Sequence, residues 1–236
     1  GTGVVTFSGG RISSDSVTAR TLANAFDLSG ALTVGDASNS GTLTLSGNAS
    51  LSGNTTLTVA SAATLSGIVS GAYNLVKAGS AELTLSGVNT YSGTTAVDGG
   101  MLTLSGGSAL ANSMAVTVNA GGSLKLASSE EIATLAGAGA VVLQGNTLTL
   151  GGSAATTYSG VMSGAGMLVK NGSSVFTVTG ANTFSGGVNL SAGAIEAGND
   201  AAFGTGVVTF SGGRISSDSV TARTLANAFD LSGALT

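Results

Sequence analysis

The sequence predicts an all-β chain wound as a parallel β-solenoid, and three observations carry that expectation. Short segments of strict two-residue alternation recur along the chain, they stop at Ser-Gly or Gly-Gly pairs, and the sequence repeats itself on two scales. Alternation places successive side chains on opposite faces of a strand. Repetition points to an architecture in which each unit buries its apolar face on the unit before it.

The strands are readable in order. "GTLTLSG" at 41–47 puts Leu43 and Leu45 on one face and Thr42, Thr44 and Ser46 on the other. "ELTLSG" from Glu82 does the same with Leu83 and Leu85, and "MLTLSGG" from Met101, "TLTLGG" from Thr147, "VFTVTG" from Val175 and "VVTFSGG" from Val207 continue the pattern. Glycine ends each one because it reaches backbone angles that other residues avoid. The stretch "SVTARTLANAF" at 16–26 is ambiguous by spacing. Leu22 and Phe26 fit a helix, but Leu22, Phe26 and Leu28 also share a strand face, and strand is the expected state.

The long-range repeat is without mismatch. Residues 1–33 return as 204–236, so Gly1 recurs as Gly204 and Leu32 as Leu235. The expected organisation is one continuous solenoid over 1–236, with 1–203 as one tandem period and 204–236 as the start of the next identical one; the chain then reads as a window on a longer array. Related sub-modules lie near 65–125 and 158–216, where Lys77 falls on Lys170, Asn89 on Asn182, Tyr91 on Phe184 and Gly93 on Gly186. Strands this short also suit a β-sandwich, but successive sandwiches need linkers, and there is no proline, charge run or low-complexity spacer to serve as one. With coils of ~20–25 residues, a period holds roughly eight to ten coils and lengthens the rod by about 40–50 Å at the strand spacing.

Composition narrows the function classes. The chain has 39 Gly, no Pro, Cys, Trp or His, 8% charged residues and mean hydropathy +0.46, the opposite of a disordered composition. Seven basic against eleven acidic side chains leave no electrostatic footprint for nucleic acid. The longest apolar stretch, "IATLAGAGAVVL", falls short of the ~20 residues of a membrane helix, so no membrane-spanning segment is expected. The N-terminus lacks a charged region followed by an apolar one, which places any targeting signal outside this sequence.

The phrases "LVKAGSAELTLSGVNTYSGTTAVDGGMLTL" and "LVKNGSSVFTVTGANTFSGGVNLSAGAI" resemble the autotransporter-associated β-strand repeat, also called the passenger-associated transport repeat. Lys77, Gly79, Leu83 to Gly87, Asn89 to Gly93 and Gly100 to Leu102 fit its pattern, as do Lys170, Gly172, Asn182, Thr183, Ser185, Gly186 and Gly193. Ser80, Ala81 and Glu82, and Ser173, Ser174 and Val175, depart from it before the strand. The resemblance implies a right-handed parallel β-helix in the passenger region of a protein displayed on a Gram-negative outer membrane or released outside the cell, serving as stalk, folding platform or adhesive surface.

Chemistry offers little beside this. Without His and Cys the usual catalytic triads and common zinc sites are excluded. Glu130 and Glu131 are adjacent acids whose side chains point to opposite faces of a strand, so they read as a solvated edge or turn. Asp15, Asp27 and Asp36 could meet across coils around a cation, but they lack the rhythm of calcium-loaded β-rolls. Lys77 and Lys170 read as turn-capping or solubilising residues, Tyr91 and Phe184 as core, and Phe7 and Phe26 as inward-facing. Thr42 with Thr44, and Thr147 with Thr149, form local Thr-x-Thr pairs; an ice-binding plane would need such pairs in successive coils.

No catalytic, cofactor-binding or metal-binding residue is assigned. The expected function is a non-catalytic structural segment of a large surface or extracellular fibre, partnered by itself along the solenoid axis, by continuation of the same chain, or by a host or neighbouring-cell surface glycan or protein. The alternative on the same fold is a glycan-binding or glycan-cleaving domain, which predicts acids and bases clustered on one face.

Overall fold

The computed structural model describes residues 1–218 and 221–232. Every strand pairing among them is parallel, and the strands stack into a three-walled β-solenoid of about 11 turns. A sandwich would need antiparallel pairs between sequential strands, so the pairing pattern decides between the two architectures.

Each coil crosses three walls. The second wall is the most regular: Gly10–Ile12, the later half of Phe26–Val34, the later half of Ala49–Val59, Leu75–Ala78, Thr95–Val97, Ala115–Val118, Thr134–Gly137, Thr156–Tyr158, Val175–Val178, Ala194–Ala197 and Arg214–Ser217 pair in that order. Ten steps of pairing therefore separate Gly10–Ile12 from Arg214–Ser217, or about 48 Å at ~4.8 Å per strand. The third wall runs through Arg20–Leu22, Leu43–Leu45, Ala63–Leu65, Glu82–Leu85, Gly100–Leu104, Gly122–Leu126, Ala140–Val142 and Met162–Ser163. The first wall begins with Val5–Phe7, the early halves of Phe26–Val34 and Ala49–Val59, and Val69–Gly71. It resumes with Glu130–Ile132, Thr147–Leu150, Met167–Lys170, Val188–Leu190, Val208–Phe210 and Phe229–Leu231.

The alternating residues read from sequence do what alternation requires. Leu43 and Leu45, Leu83 and Leu85, Leu148 and Leu150, and Phe176 and Val178 all face one continuous apolar column, and each is at least 97% buried. At ~1.5–3 kcal/mol for each buried side chain of this size, that column is the main force holding coil to coil. The segment 16–26 contains the strand Arg20–Leu22 and leads into Phe26–Val34, with no helix.

Corners are tight because backbones of successive coils nearly touch there. A Cβ on Gly93 would lie 2.2 Å from the Tyr73 carbonyl oxygen, and one on the equivalent Gly186 would lie 2.3 Å from that of Gly166. Glycine is required at both for want of space, not for backbone angle. Of the second copy of the 33-residue repeat, Ser219, Val220 and 233–236 lie outside the described residues.

Candidate functional site: inward polar ladders and an outer threonine column

Two walls are interrupted, and an asparagine bridges each interruption. On the first wall Asn89 is buried. Its Oδ1 accepts from Val69 N–H at 2.7 Å, and its Nδ2 donates to the Ala109 carbonyl at 2.7 Å. On the third wall Asn182 accepts from Met162 N–H at 2.7 Å and donates to the Ala202 carbonyl at 2.6 Å. Each side chain reaches one coil up and one coil down, replacing the ladder bonds that a strand would make there. An amide can do this because it carries an acceptor and a donor on one planar group.

Glu130 completes the first-wall bridge. Its carboxylate faces inward, is 3% exposed, and accepts from Ala109 N–H at 3.2 Å and Leu110 N–H at 2.9 Å. Burial pushes its pKa up, and the two N–H donors pull against that. This corrects the reading of the Glu pair as a solvated edge: only Glu131 points outward, where it accepts from Asn112 Nδ2 at 3.1 Å. The two carboxylates do lie on opposite faces, because strand alternation separates adjacent side chains.

The two lysines are turn-capping residues and are buried. Lys77 Nζ donates to the carbonyls of Ala78, Gly79 and Gly99 at 3.0, 2.9 and 2.8 Å, and Lys170 Nζ donates to that of Gly172. Burial lowers the Lys77 pKa from 10.5 to about 8 and lowers that of Lys170 in the same direction. Tyr91 and Phe184 are fully buried in the column, and the Tyr91 hydroxyl lies 2.7 Å from Thr95 Oγ1. Phe26 is also core, and Phe7 is half-buried against it.

The three aspartates are not brought together. Asp15 is held by Arg20 at 2.9 Å, and that contact is the main cause of its lowered pKa. Asp36 accepts from the backbone N–H of Ser38 and Asn39, which lower its pKa most, and pairs with Arg11. Asp27 sits on the first wall with its Oδ1 unpartnered. Among the described residues no group of three or more acids is placed to hold a metal ion. The open groove lined by Asn112, Ser113, Thr134 and Ser153 carries small polar groups, with no acid–base pair across it.

The outer face of the third wall shows an order that the sequence hides. Thr21, Thr44, Thr64, Thr84 and Thr103 stand in register on five successive coils. Beyond them, Ser46, Ser66, Ser86 and Ser105 follow at the next outward position of four of those coils. Thr-x-Thr pairs do not repeat coil by coil, whereas Thr-x-Ser does. Stacked threonines favour the sheet through cross-strand methyl and hydroxyl contacts. At the lower end of the column Thr103 Oγ1 donates to the Glu82 carboxylate.

Equivalent modules occupy different walls. In the module holding Lys77, the strand Leu75–Ala78 lies on the second wall and Glu82–Leu85 on the third; in the module holding Lys170, Met167–Lys170 lies on the first and Val175–Val178 on the second. The copy is turned by one wall about the axis.

Residues 37–67, 75–104 and 168–197 match the passenger-associated-transport-repeat family. The chain is also similar to an adhesin autotransporter, BmaC, of Brucella suis biovar 1 (strain 1330), at 40% identity over 129 residues. That match takes in 51% of this chain but only 4% of the adhesin, so the chain spans a small part of that relative's length. No solved structure matches the chain. No helix among the described residues is long and apolar enough to cross a membrane.

Proposed function

We infer, from a chain that carries three passenger-associated-transport-repeats on a β-solenoid, that it is a stalk segment of an autotransporter passenger, displayed at the cell surface and lending length and adhesive area rather than catalysis. The observation that carries this is where the shared residues point. Lys77, Asn89 and Tyr91, and Lys170, Asn182 and Phe184, are all buried, and their polar groups satisfy backbone or neighbouring inward groups instead of facing a ligand. A unit whose recurring residues serve coil stacking is a unit of construction. The 203-residue repeat extends the same logic, since ten coils bring the chain back to the same wall and a further period continues the rod by about 48 Å. Similarity to an adhesin supports contact with a host or neighbouring cell, through a surface glycan or protein.

The test uses antibody raised against this chain on intact cells that produce the parent protein. Labelling of unbroken cells, lost after mild external proteolysis, is the expected result. Labelling only after lysis would overturn the assignment. Beads coated with the chain should also bind target cells above beads coated with an unrelated β-solenoid.

A further inference from the structure

On the outer face of the first wall, successive coils between residues 48 and 94 repeat every 20 residues, so their side chains line up in columns. Ser50, Ser70 and Thr90 form one column. Gly53, Tyr73 and Gly93 form another, at the corner with the second wall, which places a tyrosine between two coils that carry no side chain at its position. Its ring is 44% exposed, whereas Tyr91 and Tyr158 are fully buried. At the opposite edge of the wall Ile68 and Val88 occupy one column on neighbouring coils, 41% and 63% exposed.

Three asparagines border the same face, and each is held by its oxygen. Asn48 Oδ1 accepts from Ile68 N–H at 3.0 Å, Asn54 Oδ1 from Asn74 N–H at 3.1 Å, and Asn74 Oδ1 from Thr94 N–H at 2.8 Å. A backbone N–H has to meet an oxygen, so these bonds fix each amide and leave its two Nδ2 hydrogens over. In Asn89 and Asn182 the Nδ2 group is spent on a carbonyl of the next coil. In Asn48, Asn54 and Asn74 it has no acceptor among the described residues. Each edge of the face thus joins an exposed apolar group to an anchored amide donor, with the hydroxyls of Ser50, Ser52, Ser70, Thr90 and Ser92 between them. No charged residue occurs in 48–76 or 88–97.

We propose that this face, from Tyr73 across to Ile68 and Val88, binds a neutral, extended oligosaccharide, with one sugar ring stacked on Tyr73. This rests on the adhesive reading above and gives it a place and a ligand chemistry. A pyranose is amphipathic in the same way as the face: its C–H groups form an apolar side that lies on an aromatic ring, and its hydroxyls project at the edge, where amide donors and serine or threonine hydroxyls meet them. Amides already held in place cost little further ordering when a ligand arrives. A patch without a cation selects an uncharged sugar, because a sugar carboxylate would lose water there without gaining a counter-charge. Ile68 and Tyr73 lie five residues apart in the chain, at most about 17 Å at ~3.3 Å per residue, which accommodates several linked rings. The columns run straight across the coils, so a sugar chain that runs straight fits them and one that coils does not.

The chain has no tryptophan, and of its three tyrosines two are fully buried, so a sugar stacked on Tyr73 changes the intrinsic tyrosine fluorescence directly. The full 236-residue chain is titrated with cellotetraose and chitotetraose, which are extended, and with maltotetraose, which coils. Cellotetraose or chitotetraose should saturate the signal with a Kd of about 0.1–1 mM, and maltotetraose should bind about tenfold more weakly. By calorimetry, Tyr73→Ala should weaken binding about tenfold or more, while Tyr73→Phe, which keeps the ring, should stay within about threefold of the native chain. The melting temperature of both variants should match the native one, since the side chain is exposed, and this separates loss of the site from loss of the fold. Ile68→Ser with Val88→Ser should weaken the tetrasaccharides about threefold or more. The proposal is overturned if neither extended sugar binds at about 10 mM, if Tyr73→Ala or the Ile68 and Val88 substitutions leave affinity unchanged, or if maltotetraose binds as tightly as the others. Coated beads keep this site apart from the adhesive reading: Tyr73→Ala beads that still hold target cells sink the site and spare adhesion, whereas native beads that bind cellotetraose or chitotetraose but hold no cells spare the site and sink adhesion.

Discussion

Replacing Asn89 by alanine removes two hydrogen bonds that no neighbouring group is placed to restore. Val69 N–H and the Ala109 carbonyl are both bonded at 2.7 Å to this one buried side chain. Stranding a buried backbone donor or acceptor costs roughly 1–3 kcal/mol each, so Asn89→Ala should lose about 2–6 kcal/mol. Because each coil leans on its neighbours, the loss should show first as local opening around residues 69 and 109. Urea unfolding followed by circular dichroism reads the total, and hydrogen exchange at the Val69 amide reads the local part. Asn89→Asp adds a test of sign. At neutral pH the carboxylate faces the Ala109 carbonyl oxygen with no proton to donate, whereas once protonated it restores the bond, so part of the loss should return on acidification. Asn171→Ala, at an exposed asparagine, should stay within about 0.5 kcal/mol of the native chain. If Asn89→Ala costs less than about 0.5 kcal/mol and leaves exchange at Val69 unchanged, the side chain is not part of the ladder and the reasoning fails.

Three further outcomes follow from the same interior. Lys77 binds its proton less tightly folded, at about 8, than unfolded, near 10.5; the unfolded chain therefore holds more protons between those values, and the melting temperature should rise as pH goes from 8 to 10, a slope that Lys77→Met should reduce. Above pH 10 the raised pKa of buried Tyr91 and Tyr158 acts in the opposite direction, so melting curves should show the rise ending there. Gly93→Ala should destabilise by about 1–3 kcal/mol in urea unfolding because its new Cβ meets the Tyr73 carbonyl, while Gly145→Ala, with open space around it, should be near neutral. Glu130→Ala should free the Ala109 and Leu110 amides, read as faster hydrogen exchange at both positions.

The parts of the fold set by local alternation were legible in the sequence. Leu43, Leu83 and Phe176 announce their faces through their immediate neighbours, and the glycine pairs announce the turns. Features that depend on how coils align were not legible. Thr21, Thr44, Thr64, Thr84 and Thr103 follow one another at steps of 23, 20, 20 and 19 residues, a coil length that neither the 203-residue period nor the sub-module repeat brings out. Glu130 was missed because neighbouring acids ordinarily mark solvated surface, and only the interrupted first wall gives a carboxylate two amides to satisfy. Asn89 and Asn182 were visible as recurring residues, but their task needed the coil on either side. The resemblance to the repeat family marks them as matching positions without explaining why.

The one-wall turn between the Lys77 and Lys170 modules has a consequence for what can act on this rod. A visitor approaching from a single direction meets the outer side of one module and the flank of the other, so sister units do not offer it the same patch. Kinship among these units is therefore a record of how the shaft is built, and not of a patch repeated toward one side.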